Sequence, residues 1–83
     1  MHLAAVQFKP DKGSYDRSVE RFTELLAKAA VGADLVVAPE MALSGYVFKD
    51  AQAIAAVAEP ARGPSYQRLA PIARREGCWL VMG

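Results

Sequence analysis

One cysteine and one histidine occur in 83 residues. A lone thiol, Cys78, closes no internal disulfide, and the expected setting is a reducing cytosol. A lone imidazole, His2, has no second histidine to share ligation, so a solvated or hydrogen-bonded side chain is expected there rather than a metal site. No apolar run approaches the ~20 residues that span a bilayer. The opening Met-His-Leu-Ala-Ala-Val has no basic n-region and its apolar run ends at Gln7, so no signal peptide is expected. Excess charge is missing too. The formal net charge is +1 with both signs interspersed, which leaves no footprint for nucleic acid or an anionic membrane surface. Neither G-x-G-x-x-G nor a P-loop pattern occurs, so nothing supports a nucleotide-binding role. Repeats, low-complexity tracts and linker-like segments are absent as well.

What is present is apolar and ordered. Hydrophobic residues make up 53% of the chain, which marks it as globular. Its length allows one domain at most, and a chain this short buries a limited fraction of its surface.

Residues 34–46 organise the rest. Asp34 and Gly32 precede Leu35-Val36-Val37-Ala38, a short apolar run of the kind expected for a strand buried on both faces of a parallel sheet. Pro39 has no donor for a ladder, so pairing is expected to fail there. Glu40 then stands just past the carboxyl end of the strand, where open α/β sheets place their ligands. Met41, Ala42 and Leu43 offer it no charge partner. Two readings follow. One is an acid at a strand end, solvated or bonded to a lysine or backbone amide. The other is a general base in an apolar cleft that disfavours its charged form.

The flanking segments follow from periodicity and punctuation. Residues 2–8 read as a first strand, and Pro10 to Gly13 as a loop. Ser14 is placed to cap a helix running to about Ala30, with Asp16 at the positive end of its dipole. Tyr15, Val19, Phe22, Leu25, Leu26 and Ala29 form its apolar face, and Gly32 its stop. Asp50 caps a short helix over 51–58, with Ile54 and Val57 inward and Pro60 beyond its end. Gly63-Pro64-Ser65 opens a further helix that Gly77 stops. Pro71 inside it predicts a kink or a broken turn, at a cost of about 3 kcal/mol. Residues 78–82 complete a third buried strand. Right-handed crossovers between these strands give a small parallel sheet with open edges and one poorly covered face.

Taken together, "AAVQFKP", "ADLVVAPEMALSGY" and "GPSYQRLAPIARREGCWLVMG" resemble the N-terminal third of the nitrilase, or carbon–nitrogen hydrolase, superfamily. The resemblance covers all 83 residues, and its specific part is "PEMALSGY". It implies that residues 1–83 are the N-terminal segment of an incomplete domain, supplying the β-α-β-α-α-β part of an α-β-β-α sandwich. Members hydrolyse nonpeptide carbon–nitrogen bonds with a Glu-Lys-Cys triad and need no cofactor. By the resemblance, Glu40 matches the glutamate, the general base. Lys9, Lys12, Lys28 and Lys49 match no triad position, and Cys78 lacks the nucleophile's context, so an inert core thiol is expected. Tyr46 has two readings, a substrate-side aromatic facing Glu40 and a core aromatic. The implied substrate is a small amide, carbamoyl compound or nitrile, and the implied assembly is a homodimer or higher oligomer of a cytoplasmic protein. With one triad member of three, the chain alone is expected to be inactive. The competing accounts are a non-enzymatic α/β binding or regulatory module of flavodoxin-like topology, and a truncated subunit whose partner supplies the lysine and cysteine.

Overall fold

The computed structural model describes residues 1–11, 13–45 and 48–83. Its elements are β1 (Leu3–Ala5), α1 (Tyr15–Ala29), β2 (Leu35–Val37), α2 (Ala51–Ala55), α3 (Pro64–Glu76) and β3 (Trp79–Val81). The strands lie in the order β1-β2-β3, all parallel. Element order and sheet type are therefore those the sequence predicts.

The strands are shorter than expected, at three residues each. Ladder-like bonds continue a little further, with Val6 donating to the Val37 carbonyl and Ala38 to that of Val81, at 2.9 and 2.8 Å. Pro39 then supplies no donor and the chain turns away.

α1 forms where its caps and its apolar stripe agree. Ser14 Oγ accepts from the Arg17 amide at 3.3 Å, and Asp16 lies in the first turn. Val19, Phe22 and Leu26 are buried, Phe22 and Leu26 completely. Phe22 meets Phe8 edge to face, with ring centroids 5.5 Å apart. Leu25, expected on the same stripe, is exposed instead, and Ser18 takes an inward place. Burying that hydroxyl is tolerated because both its roles are filled: Ser18 Oγ accepts from the Asp11 amide at 2.7 Å and donates to the Asp11 carbonyl at 3.0 Å.

α2 is five residues long and leaves Ile54 exposed, where a longer helix with Ile54 inward was expected. Its Asp50 cap is as expected, accepting from the Ala53 amide at 2.9 Å. α3 starts at Pro64 and buries Leu69 and Ile72. Of the kink or broken turn expected at Pro71, the broken turn does not occur: the helix is uninterrupted from Pro64 to Glu76. Pro71 faces solvent, so its ring disturbs no packing and water can serve the carbonyl that loses its donor. Gly77 closes the helix in the left-handed region at φ 66°, and the Cys78 amide returns to the Ala73 carbonyl at 3.0 Å.

Strands buried on both faces are not what forms. Ala4, Val36 and Leu80 share the face that packs on Phe22, Leu26, Leu69 and Ile72. The opposite face carries Leu3, Val37, Trp79 and Val81, all exposed, with Trp79 at 79%. The topology explains this. Crossovers of one hand, each advancing the sheet by one strand in the same direction, put every helix on the same side. Among the described residues nothing covers the other side.

Candidate active site

β2 is the central strand, and its exit is built from three consecutive constraints. Pro39 ends the pairing, Glu40 begins a turn through Ser44, and Met41 adopts a left-handed backbone at φ 53°. For a residue other than glycine that conformation costs about 1–2 kcal/mol. The Gly45 amide closes the turn onto the Met41 carbonyl at 2.9 Å. The end of β3 comes up beside it: Gly83 donates to the Pro39 carbonyl at 3.4 Å, and Ala42 donates to the Gly83 carbonyl at 3.3 Å.

Glu40 is exposed at this turn. Among the described residues it has neither the lysine pair nor the amide bond that a structural acid at a strand end would use. The apolar enclosure that a buried base requires is not formed by the described residues either. Lys9, Lys28 and Lys49 are exposed, and none pairs with Glu40. Lys12 and Tyr46 lie outside the described residues. Cys78 is half-buried just before β3 and packs at the margin of the core, in keeping with a packing role. His2 is exposed, and its amide donates to Asp34 Oδ2 at 2.6 Å. No group of three or more ligating side chains gathers among the described residues.

A second carboxylate has a different environment. Glu59, on the connection between α2 and α3, accepts from Tyr15 Oη at 2.5 Å and from Ser65 Oγ at 2.5 Å, both on Oε2, while the Ser65 amide donates to Oε1 at 2.7 Å. Desolvation pushes the Glu59 carboxyl up, but the bonds from the Ser65 hydroxyl, the Tyr15 hydroxyl and the Ser65 amide outweigh it and hold it below its usual range. The Tyr15 phenol moves the other way, raised first by its burial and then by its bond to Glu59. The periodicity of α1 assigned Tyr15 to the apolar stripe and missed its hydroxyl. A signal was nonetheless present. Gly63, at the N-cap of α3, has no side chain to satisfy the first amides, so an acceptor from outside the helix is required, and Glu59 lies four residues upstream.

An open groove runs along the free edge of β3, between α3 and the turn after Glu40. Met41, Leu43, Glu59, Leu69, Cys78 and Gly83 are among the residues that line it. Glu40 stands beside this groove rather than in it.

Residues 2–83 match the family model described as carbon-nitrogen hydrolase. The chain is 39% identical over 83 residues to "Hydrolase in pqqF 5'region" of Pseudomonas protegens, covering all of this chain and 28% of that protein. It is 27% identical to the protein N-terminal amidase of Saccharomyces cerevisiae and 29% identical to that of Schizosaccharomyces pombe. Both matches cover all of this chain, with 20% and 31% of the respective relatives. The chain thus spans less than a third of the curated relatives it matches. No solved structure matches it.

Proposed function

Because the chain belongs to the carbon–nitrogen hydrolase family, we propose that residues 1–83 are the part of a thiol-dependent amide hydrolase that carries its general base, Glu40. The observation that supports this most directly is the placement of Glu40. It is a carboxylate without a structural partner among the described residues, set at the carboxyl end of the central parallel strand by a turn that holds Met41 in a costly conformation.

In this reading Glu40 takes the proton from a cysteine thiol supplied by sequence outside residues 1–83. The thiolate attacks the carbonyl carbon, and a lysine, also from outside, stabilises the oxyanion of the tetrahedral intermediate. As the carbon–nitrogen bond breaks, Glu40 returns its proton to the leaving nitrogen. It then takes a proton from the water that attacks the thioester and passes it to the sulfur as the carbon–sulfur bond breaks, releasing the acid and the thiol. The names of the two yeast relatives favour an amide as the substrate class. The bare sheet face, with Leu3, Val37, Trp79 and Val81, is where the second sheet of an α-β-β-α sandwich packs. That layer would also supply the enclosure that Glu40 lacks. Two copies of the complete domain pair as a homodimer, and residues 1–83 alone hydrolyse nothing.

The test is Glu40→Gln in the longest natural polypeptide that carries these residues. Amide hydrolysis is expected to fall by about 10²–10⁴-fold in kcat/KM, with circular dichroism and thermal midpoint unchanged. Retention of wild-type hydrolysis by that variant overturns the base assignment.

A further inference from the structure

We propose that Gly83 is a positioning residue for Glu40, required because the backbone carrying the carboxylate passes too close to position 83 for any side chain. The inference rests on the reading of Glu40 as the base. It concerns a residue two positions past the end of β3, which acts on Glu40 through the backbone.

Among the described residues no side chain or amide donates to the Glu40 carboxylate, so the location of its oxygens depends on where the backbone puts the Glu40 Cα. That backbone is gripped from one side by β3. In the parallel register Val37 lies opposite Val81, and two residues further on the two strands bring Pro39 beside Gly83. The Gly83 amide reaches back to the Pro39 carbonyl at 3.4 Å, and its carbonyl receives the Ala42 amide at 3.3 Å. The two bonds straddle Glu40, one to the residue before it and one two residues after it.

The grip is close enough to exclude a methyl group. A β-carbon on residue 83 would stand 2.8 Å from the Glu40 Cα, 3.2 Å from the Met41 amide nitrogen and 3.3 Å from the Glu40 Cγ. The first two contacts are with backbone, which cannot swing aside as a long side chain can. Met41 cannot easily absorb the shift, because its left-handed conformation leaves few alternatives for a side-chain-bearing residue. Gly83 itself is not among the glycines with positive φ, so what the position demands is space and not unusual backbone freedom. A side chain there forces a shift between the two segments, and in this proposal it is the Glu40 Cα that moves away from Gly83 and carries the carboxylate with it.

Misplacing a reacting group by about 1 Å costs up to about 10²-fold in rate. In the longest natural polypeptide that carries residues 1–83, Gly83→Ala is therefore expected to lower kcat by about 10–100-fold with KM little changed. In a Glu40→Gln background the same substitution is expected to cost nothing further, because the group it displaces is already gone. A loss of equal size in both backgrounds shows a general structural defect and overturns the proposal. So does wild-type kcat in Gly83→Ala when Glu40→Gln is inactive. Full activity in Glu40→Gln overturns the base reading instead, so the two failures are distinguishable. If Gly83→Ala does not fold, the unaltered protein still decides. A strong nuclear Overhauser contact between the α-protons of Gly83 and Glu40 is expected, and its absence overturns the proposal.

Discussion

Tyr15 Oη stands 2.5 Å from Glu59 Oε2, tying the first residue of α1 to the connection between α2 and α3 across 44 positions of sequence. Ser65 Oγ reaches the same oxygen, so the starts of both long helices converge on one carboxylate. Two hydroxyl hydrogens serve three close contacts, since Tyr15 Oη and Ser65 Oγ are also 2.5 Å apart. The carboxylate must be ionised to accept both hydroxyls and the Ser65 amide at once.

That requirement gives stability a pH dependence with a definite sign. The Glu59 carboxyl is held below its ordinary value of 4.5 in the folded state, so its contribution is present above that pH and is lost as pH falls through the lower folded value. The Tyr15 phenol is raised above 10.0, so its share is present below pH 10.0 and is lost as pH rises past it. Urea midpoints measured from pH 3 to pH 7 are expected to decline at the acid end in the unaltered protein, and the Glu59→Gln variant is expected to show a shallower decline. Equal slopes for the two proteins would contradict the assignment.

Removing one donor tests the same cluster at neutral pH. Tyr15→Phe keeps the ring and deletes the hydroxyl, and is expected to cost about 1.5–2 kcal/mol, in the lower part of the range for bonds to a charged group. The measurement is the shift in urea midpoint, with the m-value unchanged.

The core makes a larger demand. Phe22 is completely buried between the sheet and α3, in contact with Phe8. Phe22→Ala is expected to cost about 3–5 kcal/mol, which is most of the stability a small α/β unit has. Loss of cooperative thermal unfolding in the far-ultraviolet signal would report it.

Pro71 offers a gain. It is exposed in the middle of α3, so Pro71→Ala leaves no cavity and restores an amide to the helix ladder. The helix gains about 3 kcal/mol, less about 1 kcal/mol for the freer unfolded chain, for a net stabilisation of about 2 kcal/mol. A raised urea midpoint is the expected result.

The bare sheet face predicts association. Trp79 and Val81 stand side by side on an exposed apolar strand at the edge of the sheet. The 83-residue chain is expected to self-associate in sedimentation at micromolar concentration and to bind a hydrophobic dye. Trp79→Lys combined with Val81→Lys is expected to reduce both.

Much of this molecule is written in its local sequence. Apolar periodicity located α1 and α3, and Ser14, Gly63-Pro64 and Gly77 placed their ends as Asp50 placed the start of α2, because capping depends on residues within one turn. The run from Leu35 through Pro39 announced a parallel strand that stops before Glu40, for the equally local reason that proline lacks a donor. Other features needed the tertiary structure. Whether Leu25 or Ser18 turns inward depends on what α1 packs against, and Ser18 is accepted only because Asp11 lies within bonding distance. The strands look buried on both faces from composition alone, whereas crossover handedness already implied one poorly covered face; the structure decided which side chains lie on it, Leu3, Val37, Trp79 and Val81. Glu59 gains its bond from Tyr15, and Gly83 its contact with Glu40, only when segments 44 and 43 positions apart are brought together. Sequence determines what is set within a few residues along the chain. Only the packed fold decides which distant groups share a few ångströms of space.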